Sequence, residues 1–227
     1  GWMTLLSIAI NTILFVLAVG LNRDLSGNQV IWLFANLALI FSFITLVCVI
    51  GWNRQMWLTF AAVVIATGLA VVLWQMVVVF NHAKGIHYES MEYVMQEPAP
   101  LFLAQILIGV LGAAMDMATD IIASLATLKK EKPELLPKQI FQSGMQIGRT
   151  IMGPLLNVLF FLFMAETLPM VLVYLRNGNS WVYSFEMNMT LGMASTLVSA
   201  IGIVLTVVLA SFLASRWLGK TKEVAHG

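Results

Sequence analysis

The sequence predicts an all-α integral membrane protein, a single domain over residues 1–227 built as a bundle of about six transmembrane helices. Three observations predict this class. Of 227 residues, 60% are hydrophobic and only 10% charged, with a mean hydropathy of +0.90; a typical soluble domain is about 45–50% apolar and about 25% charged. Six apolar stretches are each long enough to cross a hydrocarbon core of about 30 Å, which takes roughly 20 helical residues. Aromatic residues gather at the borders of these stretches, notably Trp2, Trp32, Trp52, Trp57, Trp181 and Trp217, as in an interfacial belt. The composition excludes a soluble globular enzyme, a disordered chain and a nucleic-acid binder. Twelve basic and eleven acidic residues nearly cancel, so net charge points to no particular partner beyond the lipid bilayer.

The first span is expected over 3–21. It begins without a basic leader and without a small-x-small cleavage site after it, so it reads as a retained span rather than a signal peptide. The second is expected over 30–50 and the third over 57–80. None of these three carries a charged residue or histidine in its interior, and Asn11, Asn36 and Gln75 read as hydrogen-bonding contacts between helices. Cys48 is the one cysteine, which excludes an intrachain disulfide and a cysteine-based metal cluster; it reads as a small hydrophobe. The apolar runs are continuous and do not alternate, which argues against barrel strands.

The fourth span, 101–128, is long and different in kind. Asp116 and Asp120 stand four residues apart, hence on one helical face, well inside the apolar run. An acidic residue there costs about 2.5–3.5 kcal/mol on insertion scales and is normally turned inward, paired or protonated. Gly109, Gly112 and Ala113 precede the pair and would let another helix approach closely.

The fifth span is expected over 147–175 and contains Arg149 between Gly144, Gly148 and Gly153. With a turn between Leu128 and Pro137, Asp116 and Arg149 each lie twelve residues, about 18 Å, from their helix ends. This predicts a buried Asp–Arg cluster at one depth, either a structural ion pair or a functional site. The stretch 138–176 would reach nearly 60 Å as one helix. Gly153-Pro154 and Leu168-Pro169 are therefore expected break points, of the kind found at transporter sites; an amphipathic start over 138–148 followed by a kinked span is the plainer possibility. Asn157 lies one turn past the first break and Glu166 just before the second, near the outer interface. The sixth span, 190–216, has a small face at Gly192, Ala194, Ser195, Ser199, Ala200 and Gly202, expected to pack on the fourth.

The basic residues predict orientation. One side holds Arg54, Lys129, Lys130, Lys132, Lys138, Arg216, Lys220, Lys222 and Arg149; the other holds Arg23, Lys84 and Arg176. The positive-inside rule then puts both termini in the cytoplasm and the loop 81–99 outside. Chemistry of other kinds is missing. There is no GxSxG elbow, no Walker loop and no GxGxxG. The two aspartates share one helix, whereas an intramembrane aspartyl protease needs carboxyls facing each other from different helices. His82, His87, Glu89 and Glu92 match no strong metal spacing. We therefore expect no enzyme, no cofactor and no metal site.

Over residues 107–175 the chain resembles the YibE/F-like family of bacterial integral membrane proteins. The stretches GVLGAAMDMATDIIASL (109–125) and FQSGMQIGRTIMGPLLNVLFF (141–161) carry the resemblance, and SAIGIVLTVVLASFLASRWL (199–218) is similar to the family's last span. Gly109, Gly112, Ala113 and Asp116 match the first motif. Ser143, Gly144, Ile147, Gly148, Arg149 and Asn157 match the second. The sequence departs at Thr150, where the family commonly has Asp, and at Val158, where it commonly has Thr; Asp116 is thus the better candidate to neutralise Arg149. The length is similar to the shorter, YibF-type members. The resemblance implies a bacterial cytoplasmic-membrane location and a longer YibE-like membrane subunit as partner, with a homo-oligomer as the other possibility. Together the residues suggest a transporter or permease-like subunit moving an ion or small polar solute through Asp116, Asp120 and Arg149, with Asn157 and Glu166 as further lining. The rival is a non-transporting scaffold subunit.

Overall fold

The computed structural model describes residues 2–21, 27–80, 88 and 98–220. Six helices follow in order: α1 (Trp2–Leu21), α2 (Asn28–Ile50), α3 (Arg54–Phe80), α4 (Pro98–Glu131), α5 (Pro137–Arg176) and α6 (Trp181–Lys220). All six are long and apolar enough to cross a membrane. The described residues contain no strand. His82, His87, Glu89 and Glu92, together with Arg23, Lys84, Lys222 and His226, lie outside the described residues.

The helices exceed their expected bounds because polar residues near a border continue a helix as readily as apolar ones. Asn53 caps α3, its Oδ1 accepting the Met56 N–H at 3.0 Å, as N-cap asparagines do. The loop before α3 therefore shrinks to 51–53. Around it Phe43, Trp52, Trp57 and Phe60 pack edge-on or tilted at about 6 Å, a geometry favourable for aromatic pairs. At the turn between α4 and α5, Lys129 Nζ donates to the carbonyls of Pro133 at 2.8 Å and Leu135 at 2.9 Å. Pro137 opens α5, a position where its missing N–H costs nothing.

The breaks expected in the fifth span do not interrupt helical structure: Pro154 and Pro169 both lie inside α5. Each removes one rung of the hydrogen-bond ladder, a loss that transmembrane helices absorb locally. Nor does 138–148 form a separate interfacial segment. It is the first part of a 40-residue helix, about 60 Å long and longer than the roughly 40–45 Å of a bilayer with its headgroups.

α4 and α6 occupy the centre. Met117, Ala118, Ile121 and Leu125 of α4 pack with Ile203, Val207 and Ala210 of α6 and with Ala62 and Val63 of α3 in one buried cluster. Small residues set the close approaches. A Cβ on Gly202 would meet Val110 Cγ1 at 2.5 Å, so α6 does lay part of its small face on α4. The α5–α6 hairpin is closer still. A Cβ on Gly144 would meet Ser211 Oγ at 2.5 Å, one on Gly148 would collide with Val207, and one on Gly192 would meet Phe163 Cδ2 at 2.8 Å. Gly109 has only ordinary contact with Ser199, and Gly112 and Gly153 have open space beside them.

Candidate functional site: a carboxylate groove on the membrane face

α2, α4 and α5 enclose an open groove of about 410 Å³. Its walls are Thr45, Leu46 and Val49 from α2, Met115, Asp116, Thr119 and Asp120 from α4, and Leu155 from α5. The two carboxylates reach it because α4 turns its opposite side into the core. Ala114, Met117, Ala118 and Ile121 are buried, while Gly112, Asp116 and Asp120 form a strip one turn apart on the exposed side.

Thr45 extends the polar surface beyond α4. Its hydroxyl accepts from Ser7 Oγ at 3.0 Å and from Asn11 Nδ2 at 2.8 Å. Asn11 thus joins α1 to α2, as expected for an asparagine within a span. Its own Oδ1 is buried without a partner. Asn36 differs: its Nδ2 donates to Trp32 O within its own helix, at 2.7 Å. Gln75 is exposed. Ser7 and Thr45 were not foreseen as site residues, since a hydroxyl in an apolar run carries no sequence signal of what it faces.

The packing of α4 against α5 fixes the place of Arg149. Leu125 Cδ1 lies 3.0 Å from where a Cβ of Gly144 would stand. The two helices are antiparallel, joined by a short turn. Leu155 of α5 lines the groove beside Asp116 and Asp120, whereas Arg149 stands about 120° round the helix from Leu155.

The cluster expected to be buried is instead at the surface of the single chain. Asp116, Asp120, Arg149, Asn157 and Glu166 are all exposed, and no hydrogen bond or ion pair joins Asp116, Asp120 or Arg149 to another described residue. The cause is the α5–α6 seam. Gly148 is buried against Val207, and Arg149 follows about 100° further round the helix, off the seam. Asn157 and Glu166 of α5 are not among the residues that line the groove. Three charges in apolar helices, each costing about 2.5–3.5 kcal/mol in lipid, thus have no ion-pair partner among the described residues. No group of three or more His, Cys, Asp or Glu among the described residues is placed to hold a metal ion.

Six membrane-length helices with an intramembrane pair of carboxylates define a multi-pass membrane protein. The chain belongs to the YibE/F-like protein family, whose model matches residues 1–220, nearly the whole chain. No curated protein and no solved structure matches it.

Proposed function

We propose that the protein is a transporter or permease-like subunit of a bacterial cytoplasmic membrane, with both termini inside. In this reading Asp116 and Asp120 hold a proton, a cation or the polar group of a small solute in the α2–α4–α5 groove. The observation that carries it is the placement of both carboxylates in one open groove at membrane depth, with Thr45 and Thr119 beside them. Such groups are expensive in lipid and usually mark ion or substrate pathways. The distribution of Lys and Arg supports the orientation. Neither an enzyme nor a resident cofactor forms part of the proposal, because the sequence carries no nucleophile elbow and no nucleotide loop.

Flux of protons, Na⁺ and K⁺ through purified protein in proteoliposomes tests the reading. Wild type is expected to move at least one of them, and Asp116→Asn and Asp120→Asn to abolish that flux while eluting as folded protein. Flux indifferent to both substitutions, or none in the wild type under any gradient, overturns it. A second reading has its own support: the charges lack ion-pair partners among the described residues, which suits a scaffold subunit that pairs with a YibE-like membrane protein. Stable co-purification with such a subunit, without flux, would favour that reading.

A further inference from the structure

We propose, building on Asp116 and Asp120 as the groups that hold the solute, that the solute is a small cation and that it enters along α4 from the end of the bundle holding the turns 51–53 and 132–136. α4 differs from the other five helices in what it exposes. They turn large apolar side chains outward, among them Leu5, Trp32, Val72, Phe161 and Val204, as helices bathed in lipid do. From Asp116 to the C-terminal end of α4, every exposed residue is polar or small: Asp116, Asp120, Ala123, Ser124, Thr127, Lys130 and Glu131. One side of the helix is therefore hydrophilic for about four turns, or about 22 Å. Such a surface is costly against hydrocarbon and suited to water.

Two open grooves lie along it. Next to the one holding Asp116 and Asp120, a second of about 470 Å³ is walled by Ala123, Ser124, Thr127, Leu128 and Glu131 of α4 and by Ile147 of α5. Ser124 stands one turn past Asp120, and Ile147 two turns before Leu155. Both steps lead toward the turn 132–136, so the second groove continues the first. α2 gives Val49 to the first groove and ends one residue later, at Ile50. Beyond it the groove is bounded by α4 and α5 alone. In the opposite direction α4 exposes Gly112 and Gly109, which offer no polar side chain, and Gln105 comes only about three turns from Asp116.

Charge along the route selects the solute. Among the described residues, the two grooves are lined by the carboxylates of Asp116, Asp120 and Glu131 and by no lysine or arginine. Lysines are close by in the chain, but Lys129 Nζ is bound to the carbonyls of Pro133 and Leu135, and Lys130 is exposed outside both walls. A cleft lined by one sign of charge between low-dielectric walls concentrates counter-ions.

The test labels single cysteines in a Cys48→Ser background, in right-side-out and inside-out vesicles. A cationic and an anionic methanethiosulfonate reagent of similar size are used, their rates corrected for reaction with a free thiol in solution. Lys132→Cys reports which vesicle face carries the turn. Thr127→Cys, Ser124→Cys and Thr119→Cys are expected to label from that face alone, and Gly112→Cys, where space is open, to stay unlabelled from both. Ala123→Cys replaces any variant not recovered in the membrane. The cationic reagent is expected to label positions 119 and 124 at least about tenfold faster than the anionic one. Asp116→Asn with Asp120→Asn is expected to remove most of that preference, and Asp116→Glu with Asp120→Glu to keep it. Labelling at 119 from the opposite face, equally from both faces or from neither overturns the proposal, as does an anionic preference or none. Flux is read on the same variants in proteoliposomes. Flux with labelling from the opposite face defeats the entry route alone, and labelling as expected without flux defeats transport alone.

Discussion

Gly148 shows how much one residue determines here. Because it is buried against Val207, α5 can lie flush on α6, and the next residue, Arg149, is thrown outward. Gly148→Ala is expected to destabilise the protein by about 1–3 kcal/mol, the usual cost of overpacking a tight contact. Gly153→Ala, with open space at its Cβ, is expected to change stability of the isolated chain by less than about 0.5 kcal/mol. Thermal unfolding of the two variants in detergent separates them. At this scale the sequence was a partial guide. Asp116, Asp120 and Arg149 stood out because charge is rare in a span. Their exposure did not, since which side of a helix faces the core depends on neighbours that no single helix encodes. Gly112 and Gly148 look alike as small residues in apolar runs, yet one faces open space and the other a packed side chain.

Among elements, the α5–α6 hairpin is the clearest case of local chemistry dictating geometry. Gly178 has φ +83°, a left-handed conformation that glycine adopts without steric cost. It closes α5 with its N–H on Leu175 O at 3.1 Å, and Asn179 N–H follows onto Tyr174 O at 3.3 Å, the paired bonds of a Schellman end. Ser180 then starts α6, its Oγ accepting from Tyr183 N–H at 3.2 Å. Gly178→Ala is expected to cost about 1–2 kcal/mol, the penalty for a left-handed L-residue, read as a lower melting temperature with unchanged helical content. The six spans were legible from hydropathy because each is a long apolar run. Their ends were less so. Residues 138–148 and 181–189 mix polar and apolar side chains, and only the hairpin partner makes them helical extensions rather than loops. The prolines misled for a related reason: in a helix supported by a neighbour, the loss of one rung does not end the helix.

At the scale of the whole molecule, packing is uneven. α4 and α6 form the buried centre, whereas α1 and α5 are mostly exposed. An exposed helix of leucines and phenylalanines suits lipid. α5 also exposes Arg149, Asn157 and Glu166, and α4 opens its carboxylates into the groove beside it. The account rests on that groove being a polar site reached by water rather than a lipid-filled seam. The direct measurement is thiol accessibility in native membranes, in a Cys48→Ser background that leaves all three intramembrane charges intact. Thr119→Cys, within the groove wall, is compared with Phe161→Cys on the outward face of α5, where Phe161 is 67% exposed. The account predicts that a membrane-impermeant thiol reagent labels position 119 and leaves position 161 unlabelled; equal labelling at both, or none at 119, would contradict it.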